Sequence, residues 1–200
     1  MAESIPPSLS RLTAEFEKLP GIGPRSAERL AFHILKSDKQ SAIALASAIR
    51  DVKENVRHCR VCYNLTETDP CAVCSDPRRD QGLIFVVEQP KDVILLESTG
   101  LIRGVYHVLM GHIAPLDGVE PGDLTIDALL ARVKSGGVSE VVIGTNPTME
   151  GEGTALHIKS VLAPFKVKVS QLARGLPAGS QIEYATRAVL EDAIEGRREF

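Results

Sequence analysis

Apolar residues recur at helical spacing through the first quarter of the chain, and in short solid runs or strand-length patches after residue 82. Over residues 8–18, Leu9, Leu12 and Phe16 share one face, which predicts a helix. Pro20 and Gly21 stop it. Pro24 suits the first turn of a second helix, whose buried stripe is expected at Ala27, Leu30, Ala31, Ile34 and Leu35. Residues 40–57 repeat the amphipathic pattern with Ile43, Ala44, Ala46, Ala48, Ile49, Val52 and Val56.

The texture then changes. Asp76–Gly82 is polar and reads as a solvated linker, Arg78 and Arg79 included. Leu83–Val87 is a continuous apolar strand of the kind buried on both faces. After it come an expected helix Lys91–Glu97, strand Tyr106–Met110, Gly/Pro-rich loop Gly111–Asp123 and helix Leu124–Val133. Strand Glu140–Gly144, helix Thr154–Leu162 and strand Lys166–Ser170 complete the alternation, which predicts a mainly parallel α/β sheet. The tail offers a short strand near Ile182–Tyr184 and a helix Arg187–Ile194. The expected fold class is therefore α/β in four parts. These are a helical hairpin-helix region (1–57), a small cysteine module (58–75), a mainly parallel sheet domain (82–177) and a short tail (178–200).

The totals narrow the function classes. Two hundred residues suffice for a buried core, and no apolar run approaches the ~18–20 residues of a membrane span. Met1–Pro7 lacks a signal-peptide pattern, so a cytoplasmic protein is expected. The net charge is −3, but it is uneven: residues 1–80 carry 12 Lys and Arg against 11 Asp and Glu, and residues 81–200 carry 11 against 15. A polyanion site is therefore expected to be local and in the first half.

Two features carry chemistry there. Cys59, Cys62, Cys71 and Cys74 are the only cysteines, spaced C-x2-C, eight residues, C-x2-C. This spacing points to one tetrahedral structural zinc site with no position left open for catalysis. Two disulfides or a redox pair fit less well: no secretory signal precedes the site, and a redox pair would use only one C-x2-C. No histidine pair stands at metal-ligand spacing, although His58 abuts Cys59. The second feature is Leu19-Pro20-Gly21-Ile22-Gly23-Pro24-Arg25-Ser26. Gly21 and Gly23 allow positive φ and close approach of a ligand, the start of the second helix favours phosphate, and Arg25 and Arg29 project beside the turn. The arrangement resembles the helix-hairpin-helix motif, which grips the nucleic-acid backbone without reading sequence. A plain αα-hairpin with turn glycines is the simpler account of the same residues.

Glu88 ends the first apolar strand, and Asn146-Pro147-Thr148-Met149-Glu150-Gly151-Glu152 follows the third. Here the chain resembles the Toprim domain of bacterial primases and type IA topoisomerases, whose carboxylates hold Mg²⁺ for phosphoryl transfer. Counterparts of the family's Glu and Glu-Gly-Glu are present, but its Asp-x-Asp is replaced by Asn146-Pro147-Thr148. Tyr63, Tyr106 and Tyr184 lack the context of a nucleophile. Two-metal chemistry is not expected, and Glu88 and Glu152 remain as a partner contact or a single Mg²⁺ site.

The order of parts, with the run Leu19–His33 and Met110-Gly111-His112, resembles the RecR family of bacterial recombination mediators over essentially the whole chain. The resemblance implies a non-catalytic, nucleoid-associated DNA-repair protein that binds single- and double-stranded DNA without sequence preference. It implies action with RecO and RecF to load RecA on SSB-coated single strands, and a ring-like homo-oligomer, expected as a tetramer. A Mg²⁺-dependent Toprim-class nuclease or nucleotidyl transferase is the alternative, and a zinc-stabilised adaptor that binds only proteins is a third reading.

Overall fold

Four short strands pair into one all-parallel sheet. They are β3 (Asp80–Val87), β4 (Gly104–Val108), β5 (Glu140–Ile143) and β6 (Lys168–Gln171), in the order β4-β3-β5-β6. The computed structural model describes residues 5–197. The first four residues, part of the stretch read above for a signal peptide, and the last three of the tail lie outside them. Strand side chains alternate between the two faces of the sheet. Ile84 and Val86 of β3 pack with Leu129, Ile158 and Leu162 from helices α6 (Ile126–Lys134) and α7 (Met149–Leu162). Val87 packs with Val93, Tyr106 and Val108 on the opposite face, under helix α5 (Pro90–Ser98). Every residue of β4 is buried, so the solid apolar texture reflects a sheet covered on both sides.

Contacts divide the chain into two units, residues 1–56 and 57–200. In the first, α1 (Pro7–Glu17) and α2 (Pro24–Lys36) form a hairpin closed by Leu9, Ala27 and Ala31. The expected stripe on α2 is narrower than its pattern suggests. Leu30 and Ile34 are half-buried, and Leu35 is 63% exposed, because only one helix packs closely against α2. Helix α3 (Lys39–Asn55) starts at Asp38, whose carboxylate accepts from the Ser41 amide at 2.9 Å. It has no buried residue, and Leu45, Ile49 and Val52 are exposed.

In the second unit the cysteine module is built onto the sheet. Strands β1 (Arg57–His58) and β2 (Leu65–Thr66) form a two-residue antiparallel ribbon, and α4 (Ala72–Ser75) is a single turn. The Val108 amide at the end of β4 donates to the Cys62 carbonyl at 2.8 Å. Val73, between the second pair of cysteines, packs against the clusters on both faces of the sheet.

Several elements depart from the pattern-based expectation, among them helix α6, which starts at Ile126 and not at Leu124, and helix α3, which ends at Asn55. Arg79 does not lie in a solvated linker: its guanidinium pairs with Glu97 at 2.5 Å and donates to the carbonyls of Ile102 and Gly104. Strand β3 accordingly begins at Asp80. Strand β4 lies two residues earlier than expected. Gly104 fits under the Leu83 carbonyl, where a Cβ would come within 2.4 Å, and Met110 turns left-handed at φ 69° and ends the run. Helix α7 starts at Met149, because the Thr148 hydroxyl accepts from the Gly151 amide at 3.1 Å and caps it. Strand β6 starts at Lys168, and Ile182–Tyr184 is a 3-10 turn leading to α8 (Arg187–Glu195), not a strand.

Candidate nucleic-acid interface and metal centre

The α1–α2 turn is tight and its outer side is bare. The Ile22 amide donates to the Leu19 carbonyl at 3.1 Å, and Gly21 takes φ 79°, which a side chain would strain. Gly23 does not take positive φ as expected. It sits at φ −89°, ψ 172° as the residue capping α2, where a Cβ would meet nothing within 4 Å. Glycine therefore leaves open space over the helix start instead of relieving strain there. No side chain caps α2, Pro24 has no N–H, and the amides of Arg25 and Ser26 have no intrahelical acceptor. Arg25 and Arg29 are exposed, and neither is ion-paired among the described residues. Free amides, a helix dipole and two free guanidiniums together suit a phosphate.

The four cysteine sulfurs all lie within 4.8 Å of one another. Cys59, Cys62 and Cys71 are buried. Backbone amides of Val61 and Cys71 donate to the Cys59 sulfur at 3.5 and 3.3 Å, as they do to thiolates. Without a cation the cluster cannot fully ionise. The Cys62 sulfur lies 3.5 Å from that of Cys71, and this hydrogen bond pushes the Cys62 thiol up to about 12 while favouring the Cys71 thiolate. Hydrogen bonds to Cys62 and Cys71 also push Cys74 far up. Four converging sulfurs that resist joint ionisation fit a divalent cation that displaces their protons. The donor set is a closed four-cysteine zinc site.

At the carboxyl edge of the sheet, parallel pairing of β3 with β5 brings Glu88 beside Asn146. Glu88 is buried and fully engaged. Its Oε1 accepts from the Asn146 amide at 2.7 Å, and its Oε2 from Asn146 Nδ2 at 2.7 Å. His112 Nδ1 lies 3.2 Å from the same Oε2. Gly151 is needed beside them, because a Cβ there would come within 2.1 Å of the Asn146 carbonyl and 3.0 Å of Glu88. Glu152 lies apart from this group, with Arg174 and Gln171 Nε2 as its partners. Burial is the largest single influence and raises its carboxyl, but the Arg174 and Gln171 donors and the Arg174 charge together outweigh it and hold the group below the usual range. Among the described residues, the only group of three or more metal-ligating side chains is the four cysteines.

The motifs did not single out Arg174, since an isolated arginine carries no motif. Asn146 opposite Glu88 is legible from strand order alone, because adjacent parallel strands bring their carboxyl ends together.

Three family models match the chain in series. One described as the RecR helix-hairpin-helix covers residues 9–53, one described as the four-cysteine zinc finger domain of RecR covers 56–76, and one described as the Toprim domain covers 82–173. The chain is 52% identical over 191 residues to the protein named Recombination protein RecR of Rhodopirellula baltica, covering 96% of each chain. It is 54% identical over 192 residues to the protein of that name in Chloroflexus aurantiacus, covering 96% of this chain and 94% of the other. The chain belongs to the RecR family of recombination proteins. The family's zinc finger coincides with the sulfur cluster, and its helix-hairpin-helix with the bare turn at Gly21–Arg25. No helix among the described residues is long and apolar enough to cross a membrane.

Proposed function

We propose that this chain is a non-catalytic mediator of recombination that holds single- or double-stranded DNA by its phosphates through Gly21, Gly23, Arg25 and Arg29. In this reading it acts with RecO and RecF to bring RecA onto single-stranded DNA coated by SSB. The observation that carries it is the uncapped start of α2, flanked by two exposed arginines that are unpaired among the described residues. One such hairpin on a chain of net charge −3 binds weakly, so several copies facing one DNA raise affinity through effective concentration. The exposed stripe Leu45, Ile49 and Val52 on α3, at i, i+4, i+7 spacing, supports assembly of copies, with a ring-like tetramer as the expected form.

The absence of chemistry at the Toprim edge is supported by Asn146. Where the enzymes of that class carry a carboxylate, this residue is an amide that donates to both Glu88 oxygens and brings no negative charge to a Mg²⁺ ion. The test is a salt titration of DNA binding by the zinc-loaded protein and by Arg25→Ala/Arg29→Ala. The double variant is expected to bind all sequences more weakly, with a log–log salt slope reduced by roughly one per lost phosphate contact. Mg²⁺-dependent cleavage or joining of DNA that disappears in Glu88→Ala would overturn the non-catalytic part and favour a nuclease or transferase.

A further inference from the structure

We propose that the outer edge of β6, with the groove between it and α7, is a docking site for an extended acidic segment of a partner protein, which adds to the sheet as a further strand. The two edges of the sheet are finished differently. On β4, groups that face away from β3 are taken up within the fold. The Val108 amide donates to the Cys62 carbonyl at 2.8 Å, and the Tyr106 carbonyl accepts from Arg132 Nη1 at 2.7 Å. On β6 the corresponding groups are free. Lys168 and Leu172 donate toward β5, to the Ser139 and Ile143 carbonyls, each at 3.0 Å. Backbone groups alternate sides along a strand, so Val169 and Gln171 turn their N–H and C=O outward. No backbone partner meets them there among the described residues. Edge strands are often guarded by a lysine. Here Lys168 turns instead to Glu140, 3.1 Å away, and leaves the edge open.

Beside this edge lies a cavity of about 140 Å³ between β6 and α7, lined by Ile143, Ala155, Leu156, Lys159 and Val169. Leu156 is 63% exposed there. A cavity of ~150 Å³ takes one benzene-sized group, so the groove has room for one apolar side chain. Strand side chains alternate between faces, so an added strand places every second residue over α7 and one of them in the groove. An edge strand beside a groove is an arrangement that holds extended peptides. Main-chain hydrogen bonds supply affinity, and the groove selects a side chain. The surrounding charge selects the rest of the partner. Lys159 and Lys166 are exposed and not ion-paired among the described residues. The neighbouring carboxylates are occupied, Glu140 by Lys168 and Ser170, and Glu152 by Arg174 and Gln171. Free cations therefore stand beside neutralised acids. The partner that fits is an extended segment with one apolar residue between aspartates or glutamates. This reading rests on the sheet alone and not on phosphate binding at α2.

The experiment uses full-length, zinc-loaded protein and a set of short fluorescent peptides. Each carries one valine, isoleucine, leucine or phenylalanine flanked by aspartates and glutamates. At least one should bind at low salt, read by fluorescence anisotropy, and its lysine-flanked version should not. N-methylation of alternate peptide amides should abolish binding, because it removes the donors that a strand needs. Gln171→Pro removes one outward N–H at a position where an edge strand tolerates proline. It should weaken binding roughly 3–10-fold, the worth of one hydrogen bond. Lys159→Glu should also weaken binding and flatten its salt dependence. Hydrogen exchange gives a readout that needs no variant: the Val169 and Gln171 amides should exchange fast in the free protein and slowly with peptide bound. Binding by none of the peptides, or binding left unchanged by N-methylation or by Gln171→Pro, would overturn the proposal. So would slow exchange of both amides in the free protein, which would mean that a second copy already covers the edge.

Discussion

At the carboxyl edge of the sheet Glu88 faces the side-chain amide of Asn146 and not a second carboxylate. Asn146 gives Glu88 a donor where a second carboxylate would repel it. Asn146→Asp is expected to place like charges in contact and raise the folded-state pKa of the pair above the unfolded carboxylate value near ~4. The unfolded chain then binds fewer protons than the folded one. The variant's deficit should therefore be small in acid and grow as pH rises through the raised pKa, and Mg²⁺ should relieve it. Thermal melts near pH 5 and pH 8, with and without Mg²⁺, check this. Gly151→Ala tests the same corner sterically. With the Asn146 carbonyl 2.1 Å from the new Cβ, a loss of about 1–3 kcal/mol in urea unfolding is expected.

His107 adds a pH dependence of the opposite sign. Burial, and then the charge of Arg132, lower its pKa to about 4 from an ordinary 6.5. The unfolded chain takes up a proton below about 6.5 and the folded chain resists until about 4. Stability should fall by about 3 kcal/mol across that window as pH drops, and His107→Gln should flatten the fall.

At the scale of elements, the sequence was most legible where period and spacing act alone. The hairpin, the sulfur cluster and the alternation of strand and helix all follow from local pattern. Boundaries were lost where a single contact decides them: the Thr148 cap that starts α7 early, the Gly104 fit under Leu83, and the Arg79–Glu97 pair that fastens a supposed linker. The partners of Glu88 were half legible, since strand ends locate Asn146 but nothing local to His112 announces its reach to Glu88. The cysteine module is an element in its own right only by sequence. In the fold, Val73 and the Cys62 carbonyl join it to the sheet. Cys62→Ser should release zinc and lower the melting temperature of the sheet unit along with the finger, because metal binding contributes folding free energy. Calorimetry alongside metal analysis checks this. A metal-free variant that melts like wild type would contradict it.

At the scale of the whole molecule, the account depends on several copies acting together. Leu45→Glu/Ile49→Glu charges the uncovered face of α3 and should lower the mass measured by light scattering while leaving helix content intact. Its DNA affinity should fall with the loss of multivalency even though Arg25 and Arg29 remain. The measurement that bears most directly on the central claim is the salt dependence of DNA binding in zinc-loaded wild type and Arg25→Ala/Arg29→Ala, with mass recorded on the same samples. The account predicts salt-sensitive, sequence-indifferent binding by an oligomer, and a weaker, flatter response in a double variant of unchanged mass and fold. Equal binding by the two proteins would mean that the hairpin is only a turn and that the phosphate contacts lie elsewhere.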